Sequence, residues 1–130
     1  MREVRCVIFE DREVLAAVVA SRRARNQPMP PGFVNRITLH EDDIVHANFD
    51  ISADDGRNIR LAIGETELAA ALIRYLLERN VPVPAKLRKM LIVTERQLGL
   101  VFYDSGIPFR RGKVLDGLTD IDAAGAAPTS

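Results

Sequence analysis

The feature that most constrains this chain is a segment that occurs twice. Glu13 to Pro30 and Glu67 to Pro84 align without a gap, 54 residues apart. Each begins with an acidic residue, continues as an alanine-rich stretch with apolar residues three or four positions apart, and ends in Arg-Asn-x-Pro-x-Pro. That spacing predicts an amphipathic helix. Asparagine tolerates the left-handed conformation that ends a helix, and the two prolines prevent the helix from continuing.

Strand patterns surround both helices at the same offset. A short apolar stretch precedes each helix, and two strands around a polar turn follow it. Nine aligned pairs are identical in this window: Glu13/Glu67, Ala16/Ala70, Ala17/Ala71, Arg25/Arg79, Asn26/Asn80, Pro28/Pro82, Pro30/Pro84, Glu41/Glu95 and Asp50/Asp104. The fold class is therefore predicted as α+β, with two tandem βαββ repeats, residues 4–50 and 58–104, in one compact domain of residues 1–104. Both helices are expected on one face of an antiparallel or mixed sheet.

The repeated pattern does not continue to the end of the sequence. Residues 105–122 combine apolar residues with clustered charges and are interpreted as a C-terminal extension. Residues 123–130 are small or polar, which predicts a flexible tail.

Composition narrows the class of protein. The 130 residues correspond to one typical domain. The 18 basic and 18 acidic side chains balance, so no broad charge attracts nucleic acid or anionic lipid. The single cysteine, Cys6, has no partner for an internal disulfide and is interpreted as a small buried apolar residue. Charged residues at positions 10–13 interrupt any signal sequence. We therefore expect a cytoplasmic protein without a membrane segment or a cofactor.

The two hairpins differ in the chemistry of their even-numbered positions. Because 54 is an even offset, aligned strand residues should point to the same side of a sheet. The even positions are polar in the first hairpin but apolar in the second, where they are Met90, Ile92, Leu98, Leu100 and Phe102. A sheet covered by helices on one side usually exposes the other to water. These five residues therefore predict a face that is covered by something else.

Three covers remain open for that face. The first is the C-terminal extension, through Ile107, Phe109, Val114, Leu115 and Leu118. The second is another copy of the chain in a two-fold dimer or a protein partner. The third is an apolar ligand in a groove.

The two histidines flank one tight turn. His40 and His46, with Asp50 on the same strand face, have the side chains that hold a divalent metal or transfer a proton. Two histidines on a solvated hairpin also occur without a function, and Thr94 and Leu100 stand at the matching positions of the second repeat. The cross-strand register, with residue 40 opposite 44, is an assumption of this hypothesis.

Basic residues form two clusters that would suit nucleic acid if they converge. They are Arg22, Arg23, Arg25, Lys86, Arg88 and Lys89. Aromatic residues, which stack on bases, make up only 5% of the chain, and tryptophan is absent. Solvated charge at helix and strand ends explains the same residues.

No catalytic or nucleotide-binding motif is present in the sequence, which leans against an enzyme without deciding the question. The favoured hypothesis is a non-catalytic module for self-association or for binding another macromolecule. The alternatives are a nucleic-acid-binding protein and a metal-dependent or acid–base enzyme centred on His40 and His46.

Overall fold

The structure is a computed structural model that describes residues 3–104. In chain order its elements are β1 (Val4–Phe9), α1 (Asp11–Ala24), β2 (Gly32–Glu41), β3 (Val45–Ala53), β4 (Asn58–Ile63), α2 (Glu65–Glu78), β5 (Arg88–Thr94) and β6 (Gln97–Tyr103). The predicted α+β class is confirmed. The predicted extension and tail, residues 105–122 and 123–130, lie outside the described residues.

Both helices end as the sequence predicts. Asn26 has a φ of 56° and Asn80 a φ of 58°, so each asparagine adopts the left-handed conformation. The next backbone N–H then turns back: that of Val81 donates to the carbonyl oxygen of Leu76 at 2.9 Å. The Arg-Asn-x-Pro-x-Pro sequence is therefore a helix stop followed by a strand start.

The six strands form two antiparallel sheets, which corrects the prediction of a single sheet. The first sheet has the order β1-β6-β5, and the second sheet has the order β2-β3-β4. Residues Asp54 to Arg57 form a tight turn, in which Gly56 has a φ of 89° and its N–H donates to the carbonyl oxygen of Ala53 at 2.9 Å. Such a short connection places β4 beside β3. Each sheet therefore contains strands from both halves of the chain.

The core lies between the two helices and the inner faces of both sheets. The helices contact each other, and the sheets approach along β2 and β5. Fully buried residues from every layer meet there: Phe9, Val14, Val18, Phe49, Leu68, Leu72, Leu100 and Phe102. The Glu41 carboxylate accepts a hydrogen bond from the Val93 N–H at 2.9 Å, which ties the second sheet to the edge of the first. Each sheet consequently has an inner face and an outer face.

The turn of the second hairpin changes which residues face outward. In the second hairpin Glu95 and Arg96, with φ of 49° and 64°, form a two-residue turn. In the first hairpin the turn has three residues, between the paired Glu41 and Val45. Thr94 pairs with Gln97, which lies 51 residues after His46, the partner of His40. The offset between the two repeats therefore changes from 54 to 51, by three residues. A change by an odd number of residues exchanges the two faces of a strand.

The predicted apolar face is therefore divided between two faces. Leu98, Leu100 and Phe102 point inward and belong to the core. Met90 and Ile92 lie on the outer face of the first sheet, in a separate cluster with Val101. The assignment of all five to one face was wrong because it assumed turns of equal length.

Candidate functional site

The outer face of the first sheet is apolar from edge to edge. Its side chains are Val4, Cys6, Ile8, Met90, Ile92, Val101 and Tyr103, and we refer to these seven as the apolar face. They form rows across the three strands; the middle row is Cys6, Val101 and Met90. Polar residues occur only where the strands end, with Arg88 beside Tyr103 at one end. An apolar centre with a polar rim is the usual composition of a binding surface.

A glycine in the central strand shapes this face. Gly99 lies between Ile8 and Ile92 in the next row. A Cβ atom built at Gly99 would stand 3.0 Å from the Ile92 side chain and 3.1 Å from the Ile8 side chain. Because Gly99 has no side chain, the side chains of Ile8 and Ile92 can extend over the central strand and fill the space between them.

Burial is uneven across the apolar face. Val101 is 0% exposed and Ile92 is 2% exposed, whereas Ile8 on the opposite edge strand is 42% exposed. Burial raises the pKa of the Cys6 thiol. A thiol held in its neutral form is a poor nucleophile and a poor metal ligand. Cys6 packs among apolar side chains as predicted, but it is partly rather than fully buried.

The structure brings the two histidines together but leaves Asp50 apart. His40 and His46 are direct cross-strand partners, and their rings stack with centroids 4.7 Å apart, which corrects the assumed register. The Nε2 atom of His40 lies 3.2 Å from the amide nitrogen of Asn48. The Asp50 carboxylate instead accepts a hydrogen bond from Arg60 at 2.8 Å. Among residues 3–104 no three His, Cys, Asp or Glu side chains are grouped as a metal would need.

One acidic residue, Glu67, pairs with two members of the first predicted basic cluster. Glu67 accepts from Arg22 at 2.7 Å and from Arg25 at 2.8 Å, so one carboxylate holds two of the three helix arginines. The Lys89 ammonium donates to the carbonyl oxygen of Leu87 at 3.2 Å. These contacts do not place Arg23, Lys86 or Arg88 next to Arg22, Arg25 or Lys89. The nucleic-acid role therefore stays a prediction.

Val101 and Tyr103 were absent from the predicted face. Both lie at odd positions of β6, which a constant offset assigned to the core. The two-residue turn at Glu95-Arg96 was the only signal of the change, because both faces of β5 and β6 are apolar and their pattern fits either register.

Comparison with protein-family models, with curated proteins and with solved structures finds no match to this chain. Within the described part of the chain, neither helix has the length and apolar character needed to cross a membrane.

Proposed function

We propose that this protein is a non-catalytic binding module that self-associates through the apolar face. The observation that carries the proposal is the outer side of the first sheet, where seven apolar side chains lie on the side opposite the core. Ile8 is 42% exposed on this surface and Val4, Cys6, Met90 and Tyr103 are partly exposed, and an apolar patch that water can reach is typical of an interaction site. In a two-fold dimer the same surface of each copy would pack against the other.

The chemistry of the rim supports the same proposal. Arg88 flanks one end of the apolar face, and Thr94 and Gln97 flank the other. The edges therefore remain compatible with water while the centre is buried. The single cysteine of the chain lies on this face, which suits a reducing, cytoplasmic location in which Cys6 stays a thiol.

The size of the apolar face limits the strength of the dimer. Three strands about 4.8 Å apart, followed over five residues at about 3.4 Å each, outline a patch of roughly 14 Å by 17 Å with side chains included. That is roughly a third of the 800 Å² that each partner buries in a typical stable interface. We therefore expect reversible association with a Kd in the micromolar range or weaker, about 10⁻⁶ M or above.

A matched pair of substitutions tests the proposal. Ile8 is 42% exposed on the apolar face, and Ile44 is 51% exposed in the turn between β2 and β3. Ile8→Glu should abolish self-association because it places a carboxylate inside the interface. Ile44→Glu adds the same charge at a similar exposure and should leave association unchanged. Light scattering or analytical ultracentrifugation over a concentration series measures both variants against the full chain.

A full chain that remains a monomer over the whole series would refute self-association. Equal association of the Ile8→Glu and Ile44→Glu variants would show instead that another surface forms the contact.

We also propose that the two halves are copies of one βαββ unit. The same order of elements in residues 4–53 and 58–103 and the equal ends of both helices at Asn26 and Asn80 support a duplication. The shorter second turn accounts for the one place where the offset changes.

A further inference from the structure

A cavity of about 340 Å³ lies beside the start of α2, at the edge of the first sheet. Its volume is within the range of sites that bind small molecules. The first turns of α2 and the strands β5 and β6 supply the lining residues used below, which are Glu65, Thr66, Ala69, Lys89, Leu91 and Leu100. The cavity is therefore formed by the second repeat.

The first repeat has the same cavity in a smaller form. A cavity of about 160 Å³ lies between the start of α1 and β2, and five of its lining residues precede lining residues of the larger cavity by 54 positions: Asp11, Arg12, Leu15, Asn35 and Ile37. Leu15 stands where the second repeat has Ala69. The cross-strand partner of Ile37 is Phe49, whereas that of Leu91 is Leu100. The second repeat has the smaller side chain in both comparisons, which agrees with its larger cavity.

Lys89 gives the larger cavity a positive charge. Of the described residues that line it, Lys89 is the only cation, and it is half-buried. Its ammonium donates to the carbonyl oxygen of Leu87 at 3.2 Å and lies 5.9 Å from the centre of the buried Phe102 ring. An ammonium has three N–H donors, and no carboxylate between residues 3 and 104 forms an ion pair with this one. A bound anion would complement it.

The carboxylate in the lining is directed to the other sheet. Glu65 Oε1 accepts a hydrogen bond from the Val45 N–H at 2.9 Å, at the start of β3. The other side chains that the argument uses are apolar, apart from the Thr66 hydroxyl. The lining therefore combines one ammonium with an apolar floor of Ala69, Leu91 and Leu100, where an apolar chain is removed from water.

We propose that this cavity binds a small monocarboxylate with an apolar chain, whose carboxylate pairs with Lys89 and whose chain packs on Ala69, Leu91 and Leu100. The inference goes beyond the proposed function, because it adds a small-molecule site to a self-associating module. At about 30 Å³ for each non-hydrogen atom, the volume of a water molecule in the liquid, the cavity holds roughly ten such atoms. Octanoate has that size, and we expect it to bind with a Kd of about 10⁻⁴ M.

Three probes with the same alkyl chain separate the contribution of charge from that of the chain. Octanoate, 1-octanol and octylammonium are titrated into the full chain, and binding is followed by calorimetry or by NMR chemical shifts. Octanoate should bind about 10-fold more tightly than 1-octanol, because a charge-assisted hydrogen bond to Lys89 is stronger than a neutral one. Octylammonium should bind most weakly, since it places a second cation beside Lys89.

Three variants locate the site. Ala69→Leu introduces the side chain that the first repeat has at Leu15, and it should weaken octanoate binding at least ~10-fold because it fills the cavity. Ala70→Leu adds the same side chain at the next, exposed position of α2 and should leave binding unchanged. Lys89→Met keeps an unbranched side chain without the charge. It should weaken octanoate binding about 10-fold and leave 1-octanol binding unchanged.

Four results would overturn the inference. The first is the absence of octanoate binding up to about 10 mM, a hundred times the expected Kd. The second is tighter binding of octylammonium than of octanoate, which would assign the head group to Glu65 instead of Lys89. The third is equal octanoate binding by the Ala69→Leu and Ala70→Leu variants. The fourth is loss of octanoate binding in the Ile8→Glu variant, which would place the ligand on the apolar face, because Ile8 does not line the cavity.

Discussion

The middle rows of the two sheets occupy equivalent positions and have opposite chemistry. Four residue pairs beyond Thr94 and Gln97, the first sheet presents Cys6, Val101 and Met90 on its outer face. Four residue pairs beyond His40 and His46, the second sheet presents Arg60, Asp50 and Arg36. One row is a stripe of apolar side chains, and the other is a carboxylate between two guanidinium groups.

The two rows differ in what stabilises them. Asp50 and Arg60 satisfy each other at 2.8 Å, and Asn35 donates to Ser52 at 2.6 Å, so the outer face of the second sheet is stable in contact with water. The middle row of the apolar face instead contributes to stability through the removal of apolar side chains from water. The binding role that we propose for the domain therefore belongs to the first sheet, although the strand plan is the same in both.

The largest expected effect comes from placing the second sheet's carboxylate into the first. Val101→Asp should destabilise the protein by more than about 3 kcal/mol, because the carboxylate would be buried without a partner. The reverse exchange, Asp50→Val, removes an ion pair at the surface and should shift the unfolding midpoint far less, since exposed pairs contribute little. Urea denaturation of both variants measures the contrast. Similar midpoints for the two would mean that the apolar face is open to water.

The sequence predicted the second sheet better than the first for a physical reason. Along β3 the buried residues Val45, Ala47, Phe49 and Ile51 alternate with polar ones, so only one register places the apolar set in the core. In β6, Leu98, Leu100 and Val101 are all buried, and either register would bury apolar residues. A pattern with two acceptable registers cannot choose between them, and the turn length decided the register instead.

The pairing of strands that are distant in the sequence could not be predicted from a local pattern either. The helix ends at Asn26 and Asn80 depend on neighbouring residues and were predicted correctly. The pairing of β1 with β6 joins residues such as Val4 and Tyr103 from opposite ends of the described chain. No spacing in the sequence encodes that choice, which is why one sheet was expected where two exist. The ion pair between Arg22 and Glu67 depends on helix packing in the same way.

Glu13 and Glu67, which align in the two repeats, allow a similar comparison between the helices. The expected effect on the free energy of unfolding is smaller. Glu67 lies in the first turn of α2 and accepts from Arg22 of α1 and from Arg25, which caps the end of α1. Glu13 instead accepts from the N–H of Glu10 at the start of its own helix, at 2.9 Å. Glu67→Gln should cost about 2 kcal/mol, because charge-assisted bonds in a partly buried site are lost. Glu13→Gln should cost roughly 0.3 kcal/mol, since glutamine also accepts that bond and only the interaction with the helix dipole is lost.

Thermal or urea unfolding of the two glutamine variants, at low and at high salt, provides the measurement. Salt should narrow the difference between them if the ion pairs cause it. Equal stability of the variants at low salt would show that the contacts of Glu67 contribute no more than an exposed pair does.

The smallest expected effect concerns the charged row itself. The hydrogen bond from Arg60 lowers the pKa of Asp50 below its ordinary value, and the charges of Arg60 and Arg36 act in the same direction. Because the pKa is lower in the folded state, the stabilisation is fully present above the ordinary aspartate pKa and is lost as the pH falls through the lower folded value. NMR titration of the Asp50 carboxyl carbon should show a midpoint that rises on Arg60→Gln and rises less on Arg36→Gln. An equal rise in the two variants would assign the shift to the summed charge of the row rather than to the hydrogen bond. In either case the corresponding row of the first sheet has no group that titrates in this acidic range, so acid should weaken only the second sheet's outer face.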